Sequence, residues 1–95
     1  MFAVIFTANI NKLDAEYFET ASFLRDLAIN QYNCIKFTSC AEGEQEIAIS
    51  YWHSLEDIQK WQQNVEHLHA QAKGKDRWYS SYSVQVSEVI REYKQ

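Results

Sequence analysis

Residues 66–79 read EHLHAQAKGKDRWY, and this stretch joins the end of an amphipathic helix to the last strand of the chain. Upstream of it, one apolar stripe recurs at helical spacing: Ile58, Trp61, Val65, Leu68 and Ala72. Ser54 has the hydroxyl side chain that favours a helix N-cap. Downstream, from about Ser81 to Ile90, tyrosine and valine alternate with serine and glutamine, as in a strand. The pattern predicts a helix that begins after Ser54, is loosened or ended by Gly74, and is followed by a strand.

The rest of the chain supplies three more strands and one more helix. The run Phe2 to Asn9 is apolar on both faces, which favours a central strand. Asp14 can cap a helix that runs to about Gln31. Its apolar stripe is Tyr17, Ala21, Leu24 and Ala28. Two further strands, Asn33 to Cys40 and Gln45 to Trp52, flank a glycine-containing turn and therefore predict a hairpin.

This order, strand, helix, strand, strand, helix, strand, is that of the ferredoxin-like α+β fold. It predicts one domain over residues 1–95, with a four-stranded antiparallel sheet and both helices on one face. Two helices cover only one side of such a sheet. Because Ala3 and Ile5 make the second face of the first strand apolar too, we expect a homodimer in which two sheets pack face to face.

Composition narrows the possible partners and the location. The formal net charge is -4, which argues against a nucleic-acid surface. No apolar stretch approaches the roughly 20 residues that cross a bilayer, so we expect no membrane partner and a cytoplasmic protein. Cys34 and Cys40 are six residues apart on one predicted strand, about 20 Å, which is too far for a disulfide. Two unpaired thiols fit a reducing compartment.

The stretch from Glu66 to Tyr79 resembles the antibiotic biosynthesis monooxygenase (ABM) domain family, in which the pattern E-H-x-x-A-Q-x-x-G-[RK]-x-x-W-Y is frequent. The matching positions are Glu66, His67, Ala70, Gln71, Gly74, Lys75, Trp78 and Tyr79. The resemblance implies a dimeric α+β barrel built from ferredoxin-like subunits. It leaves the activity open, because the family includes enzymes as well as proteins of unknown task.

The resemblance implies, first, a cofactor-independent monooxygenase that oxidises a small aromatic or polyketide-like substrate with dioxygen. Such chemistry needs a cavity that holds the substrate as an anion, stabilises the negative charge and excludes water. The candidate catalytic residues are Asn9, Trp61 and His69. The candidate binding residues are His67, Gln71, Trp78 and Tyr82. Each of these aromatic residues can also be explained by packing alone. Trp61, for example, lies in the middle of the apolar stripe.

Two alternatives stay open. Haem-degrading members of the family use an asparagine near the end of the first strand, a tryptophan in the second helix and a histidine ten residues further on. Asn9 and Trp61 match the first two places, but the third is Gln71, a poor iron ligand, with His67 one turn before it. The second alternative is a non-catalytic dimer that binds a small apolar or aromatic ligand. His67 and His69 are two apart on a helix and cannot chelate one ion, so no metal site is predicted.

Overall fold

The computed structural model describes residues 1–72 and 78–95. For residues 66–72 it describes the backbone but not the side chains. The described residues form four strands and two helices. The elements are β1 (Phe2–Ile10), α1 (Ala15–Gln31), β2 (Lys36–Glu42), β3 (Gln45–Trp52), α2 (Leu55–Ala72) and β4 (Tyr79–Glu88). The predicted βαββαβ order is confirmed.

The strands form one antiparallel sheet in the order β2-β3-β1-β4, so β1 is central, as its two apolar faces predicted. The register sets which residues share a face. Val4 lies opposite Ser50 and Val86, while Ala8 lies opposite Glu46 and Tyr82. Because neighbouring residues in paired strands point to the same side, these even-numbered positions all face the helices.

Both helices begin at the predicted caps. The Asp14 carboxylate accepts a hydrogen bond from the Tyr17 backbone N–H at 2.9 Å. The Ser54 hydroxyl accepts from the backbone N–H groups of Glu56 and Asp57. These bonds satisfy backbone donors that have no partner within the first turn of a helix.

One end of the space between sheet and helices is the packed core. Its buried residues are Val4, Ala28, Cys34, Trp52, Ile58 and Trp61. Trp52 and Ile58 are 0% and 1% exposed, and the rings of Trp52 and Trp61 lie 5.4 Å apart. Phe18 and Phe23, which the predicted stripe of α1 leaves out, are more than half exposed. The helical periodicity therefore located the buried face correctly.

Two strand boundaries differ from the sequence prediction. The second strand was expected to begin at Asn33, but β2 begins at Lys36. Asn33 has φ +62°, a left-handed conformation that a strand does not use, and the next backbone N–H donates to the Ala28 carbonyl to close α1. The last strand begins at Tyr79 and ends at Glu88, because its partner β1 runs from Phe2 to Ile10.

The face of the sheet that carries no helix is mixed in character. Its central strands contribute Ile5, Ile47, Ile49 and Tyr51, which are partly buried or exposed, and the outer strand β4 contributes serine and glutamine. Cys40 is exposed and Cys34 is buried, and both are free. No helix among the described residues is long and apolar enough to span a membrane.

Candidate functional site

A cavity of about 290 Å³ lies between the sheet and the helices, next to the packed core. All four strands and both helices contribute to its wall, which is mainly aromatic and aliphatic. The described lining residues are Val4, Phe6, Tyr17, Thr20, Ala21, Leu24, Arg25, Phe37, Ser39, Glu46, Ala48, Trp61, Gln62, Val65, Trp78, Tyr79, Tyr82 and Val84. The exposed members, such as Arg25 and Tyr82, show that the cavity reaches the surface.

Aromatic rings form a connected wall around the cavity. The Phe6 ring lies 5.4 Å from Tyr79 and 5.9 Å from Tyr82. The Tyr17 ring lies 5.5 Å from Trp78 and 5.9 Å from Tyr79, in edge-to-face arrangements. The rings of such pairs stabilise one another's positions, and their faces and edges can contact an aromatic ligand.

Glu46 is the one carboxylate among the described lining residues, and its two oxygens differ. It lies on β3, opposite Ala8 of β1. Its Oε1 accepts a hydrogen bond from the Tyr17 hydroxyl. Its Oε2 is buried and accepts no hydrogen bond from the described residues. A buried carboxylate oxygen without a donor is costly, and a catalytic role is one explanation for keeping such a group.

Two phenols beside this carboxylate are held in the neutral form. Burial raises the pKa of Tyr17 from its ordinary value of 10.0 to about 12, and the hydrogen bond to Glu46 adds to the increase. Burial also raises the pKa of Tyr79 well above its ordinary value, and the neighbouring Tyr17 and Glu46 raise it further. Both hydroxyls therefore act as hydrogen-bond donors at neutral pH rather than as bases.

The N-terminus of α1 fixes the position of Tyr17. Asp14 Oδ1 accepts both the backbone N–H of Tyr17 and, at 3.2 Å, the indole N–H of Trp78. The backbone carbonyl of Trp78 in turn accepts from Asn11, just after β1. One capping carboxylate thus joins the start of α1 to the residue that precedes β4.

Three of the residues predicted for the site lie together in the cavity wall: Trp61, Trp78 and Tyr82. The indole N–H of Trp61 donates to the Leu24 carbonyl at 3.2 Å, and that of Trp78 donates to Asp14. Both indole N–H groups are therefore engaged within the protein and do not donate to a ligand. The two tryptophans shape the cavity with their rings, whereas Tyr82 is 45% exposed at its edge.

Asn9 lies elsewhere. The cavity was expected to include it, but it is exposed on β1 and does not line the described wall. Its Nδ2 donates to the Ser81 hydroxyl of the neighbouring strand at 2.8 Å. Odd-numbered residues of β1 point away from the helices, which explains the difference. The side chains of His67, His69 and Gln71 lie outside the described residues.

The sequence analysis missed Glu46, Tyr17 and Tyr79 as a functional group, although Tyr17 was placed on the buried stripe. A signal for Glu46 exists in the pattern of β3. Residues Ala48, Ser50 and Trp52 follow it at alternate positions, and all three face the helices. A glutamate on that otherwise small or apolar face must be buried or line a cavity.

The predicted ferredoxin-like α+β fold is shared with three solved structures. It is similar to SnoaB, a cofactor-independent oxygenase from Streptomyces nogalater, with a TM-score of 0.78 at 10% identity, over 99% of this chain and 97% of that one. It is also similar to MhuD solved with two manganese protoporphyrin IX per active site, with a TM-score of 0.68 at 15% identity over the full length of both. A dimeric ferredoxin-like protein from an uncultured marine organism has a TM-score of 0.63 at 12% identity, over 100% of each chain.

At the level of sequence, the chain is 37% identical over 92 residues to the uncharacterised protein YqjZ of Bacillus subtilis (strain 168). The alignment covers 96% of this chain and 81% of YqjZ. The chain therefore belongs to the family of YqjZ. No protein-family model matches the sequence.

Proposed function

We propose that this protein is a cofactor-independent monooxygenase that oxidises a small, acidic aromatic or polyketide-like substrate in the cavity between sheet and helices. The observation that carries the proposal is the aromatic wall of that cavity. Its volume of about 290 Å³ lies near the lower end of the range for ligand sites, roughly 300–1,000 Å³, and suits a small ring system. The fold shared with the oxygenase SnoaB supports the reaction class.

For this reaction the protein needs only to bind the substrate and to exclude water. An electron-rich aromatic compound held as its anion can reduce dioxygen directly. Where the reacting carbon is a methylene group, it becomes a carbonyl carbon, one oxygen atom enters the product, and the other leaves as water with the two hydrogens. The cavity contributes apolar and aromatic surroundings that exclude water from the bound anion. The predicted catalytic roles of Trp61 and His69 stay proposals, whereas Asn9 lies outside the described wall of this cavity.

Oxygen uptake with dithranol, an electron-rich aromatic compound with an acidic methylene group, tests this function. We expect protein-dependent uptake above the spontaneous rate. Ala21 lines the cavity, whereas Ala15 is exposed at the start of the same helix. The variant Ala21→Leu fills part of the cavity and should reduce uptake at least about 10-fold, whereas the same change at the control position, Ala15→Leu, should not. Saturable binding of dithranol without uptake would instead support the non-catalytic binding protein.

We further propose that two copies form a homodimer through the helix-free face of the sheet. Ile47 is 36% exposed there, Ile49 and Tyr51 follow it on the same face of β3, and Ile5 of β1 lies opposite Ile49. A contiguous apolar group of this kind favours a partner surface. The dimeric state of the ferredoxin-like neighbour supports a dimer. Light scattering should give twice the mass of one chain, Ile49→Lys should halve it, and Ile29→Lys on α1 should leave it unchanged.

Haem binding is the second candidate, supported by the fold shared with MhuD. The described lining does not fit a haem well. It offers no histidine, methionine or cysteine as an iron ligand, and the Tyr17 hydroxyl donates to Glu46. His67 and His69 lie outside the described side chains. A haemin titration that gives a saturable spectral shift at one haem per subunit, lost in His67→Ala or His69→Ala, would favour haem chemistry. A cytoplasmic location stays a prediction.

A further inference from the structure

We infer that Glu46 is the proton acceptor of the cavity, and that the ligand is an aromatic compound that presents an acidic hydroxyl group to Oε2. The inference rests on the proposed function, because it takes the cavity to be an aromatic-binding site. It extends that function by assigning a catalytic residue and by restricting the chemistry of the ligand to donors. No residue that the sequence analysis selected has this role.

The two carboxylate oxygens of Glu46 differ in their hydrogen bonding. Oε1 is occupied by the Tyr17 hydroxyl, which fixes the plane of the carboxylate. Oε2 is buried, lacks a donor among the described residues, and belongs to a side chain that lines the cavity. A ligand without a donor would leave this oxygen buried and unsatisfied, which is unfavourable. A ligand hydroxyl satisfies it with a charge-assisted hydrogen bond.

The surrounding groups favour a neutral donor over a cation. Arg25 of α1 lines the same cavity, so one positive side chain already faces it. The other titratable groups in the described wall are Tyr17 of α1 and Tyr79 and Tyr82 of β4, while α2 contributes Trp61, Gln62 and Val65. Tyr17 and Tyr79 are neutral donors. An organic cation would have to enter beside Arg25, whereas a phenol or enol would not meet that repulsion.

The proton transfer leaves the charge of the cavity unchanged. The O–H bond of the ligand breaks, a new O–H bond forms at Oε2, and the electron pair stays on the ligand oxygen. Glu46 becomes neutral as the ligand becomes an anion. The cavity then holds an electron-rich anion whose oxygen accepts a hydrogen bond from the protonated Oε2. This anion is the state that reacts with dioxygen in the proposed function.

Para-nitrophenol and para-nitroanisole test the inference without turnover, because both are electron-poor and differ only in the acidic proton. Trp61 and Trp78 line the cavity, so quenching of tryptophan fluorescence measures binding. We expect wild-type protein to bind the phenol at least about 10-fold more tightly than the ether at low pH. Between about pH 6 and pH 9 its affinity for the phenol should fall about 10-fold per pH unit once the free phenol ionises, because one proton must accompany the bound anion.

Glu46→Gln removes the acceptor charge and keeps the shape, and Glu19→Gln, on the exposed side of α1, is the matched control. In Glu46→Gln the preference for the phenol and the pH dependence should be lost, and oxygen uptake with dithranol should fall at least about 100-fold. Glu19→Gln should behave like the wild type. Far-UV circular dichroism checks that both variants are folded.

The outcomes separate the two proposals. Equal affinity of wild-type protein for phenol and ether at every pH overturns the role of Glu46 and leaves the aromatic cavity standing, and this result needs no variant. Tighter binding of naphthylmethylammonium than of the phenol overturns the neutral-donor ligand class. Absence of saturable quenching by either nitroaromatic compound overturns both the inference and the proposed function.

Discussion

The space between the sheet and the helices has a packed half and a hollow half, and the same strands and helices build both. In the packed half, Trp52 of β3 and Ala28 of α1 are both 0% exposed. In the hollow half, the same strand carries Ala48 and Glu46, and the same helix carries Ala21. On β3, Trp52 fills the packed half, whereas the small side chain of Ala48 leaves space in the hollow half. Side-chain volume on this strand therefore contributes to the cavity.

The largest contrast concerns large aromatic side chains at the two ends. Trp52→Ala removes a fully buried ring that contacts Trp61, and we expect it to lower the free energy of unfolding by roughly 3–5 kcal/mol. Tyr82→Ala, at the exposed edge of the cavity, should cost about 1 kcal/mol. Urea unfolding followed by circular dichroism measures both. Similar losses for the two variants would contradict a division into packed and hollow halves.

A smaller effect should come from one substitution made at two places on one helix. Ala28→Leu overfills the packed half and should destabilise the protein by about 1–3 kcal/mol. Ala21→Leu, two turns earlier, extends into the cavity and should change stability by less than about 1 kcal/mol. The helix propensities of the two changes are the same, so the difference in melting temperature reports the free space alone.

The two hydrogen bonds of Asp14, which connect the start of α1 with Trp78 before β4, offer a further test. Asp14→Ala removes the N-cap of α1 and the acceptor of the Trp78 indole, and we expect a loss of about 1–2 kcal/mol. Asp14→Asn keeps both acceptor functions and should lose only a few tenths of a kcal/mol. Thermal unfolding of the two variants measures the difference, and an equal loss in both would show that the charge matters rather than the hydrogen bonds.

The last test is a dependence of stability on alkaline pH that belongs to the hollow half. The folded-state pKa of Tyr17 is about 12, above its ordinary value of 10.0. Because the neutral phenol is favoured in the folded state, its contribution is fully present below pH 10 and is lost as the pH rises from 10 towards 12. The free energy of unfolding in urea should therefore fall over this interval. Tyr17→Phe should show a shallower fall, with Tyr79 accounting for part of the remainder.

A site residue could be predicted from the sequence only where the signal for it is local in the chain. Trp61 was identified because helical periodicity is a local property, and Trp78 because its motif is contiguous. Glu46 was not identified, because its partner Tyr17 is 29 residues away in the chain. Asn9 was assigned to the cavity through the resemblance, in which an asparagine lies near the end of the first strand. The face to which it points depends on the alternation of a strand whose two faces are both apolar.

The sequence by itself determined the order of the elements, the caps at Asp14 and Ser54, the central place of β1, the buried stripe of α1 and the described part of the stripe of α2. These depend on periodicity and capping chemistry within about one helical turn or one strand. The tertiary structure decided where side chains fail to fill the interface and which carboxylate faces that space. Strand register and helix docking set both, because only they bring Glu46, Tyr17 and Tyr79 from three separate elements to one place.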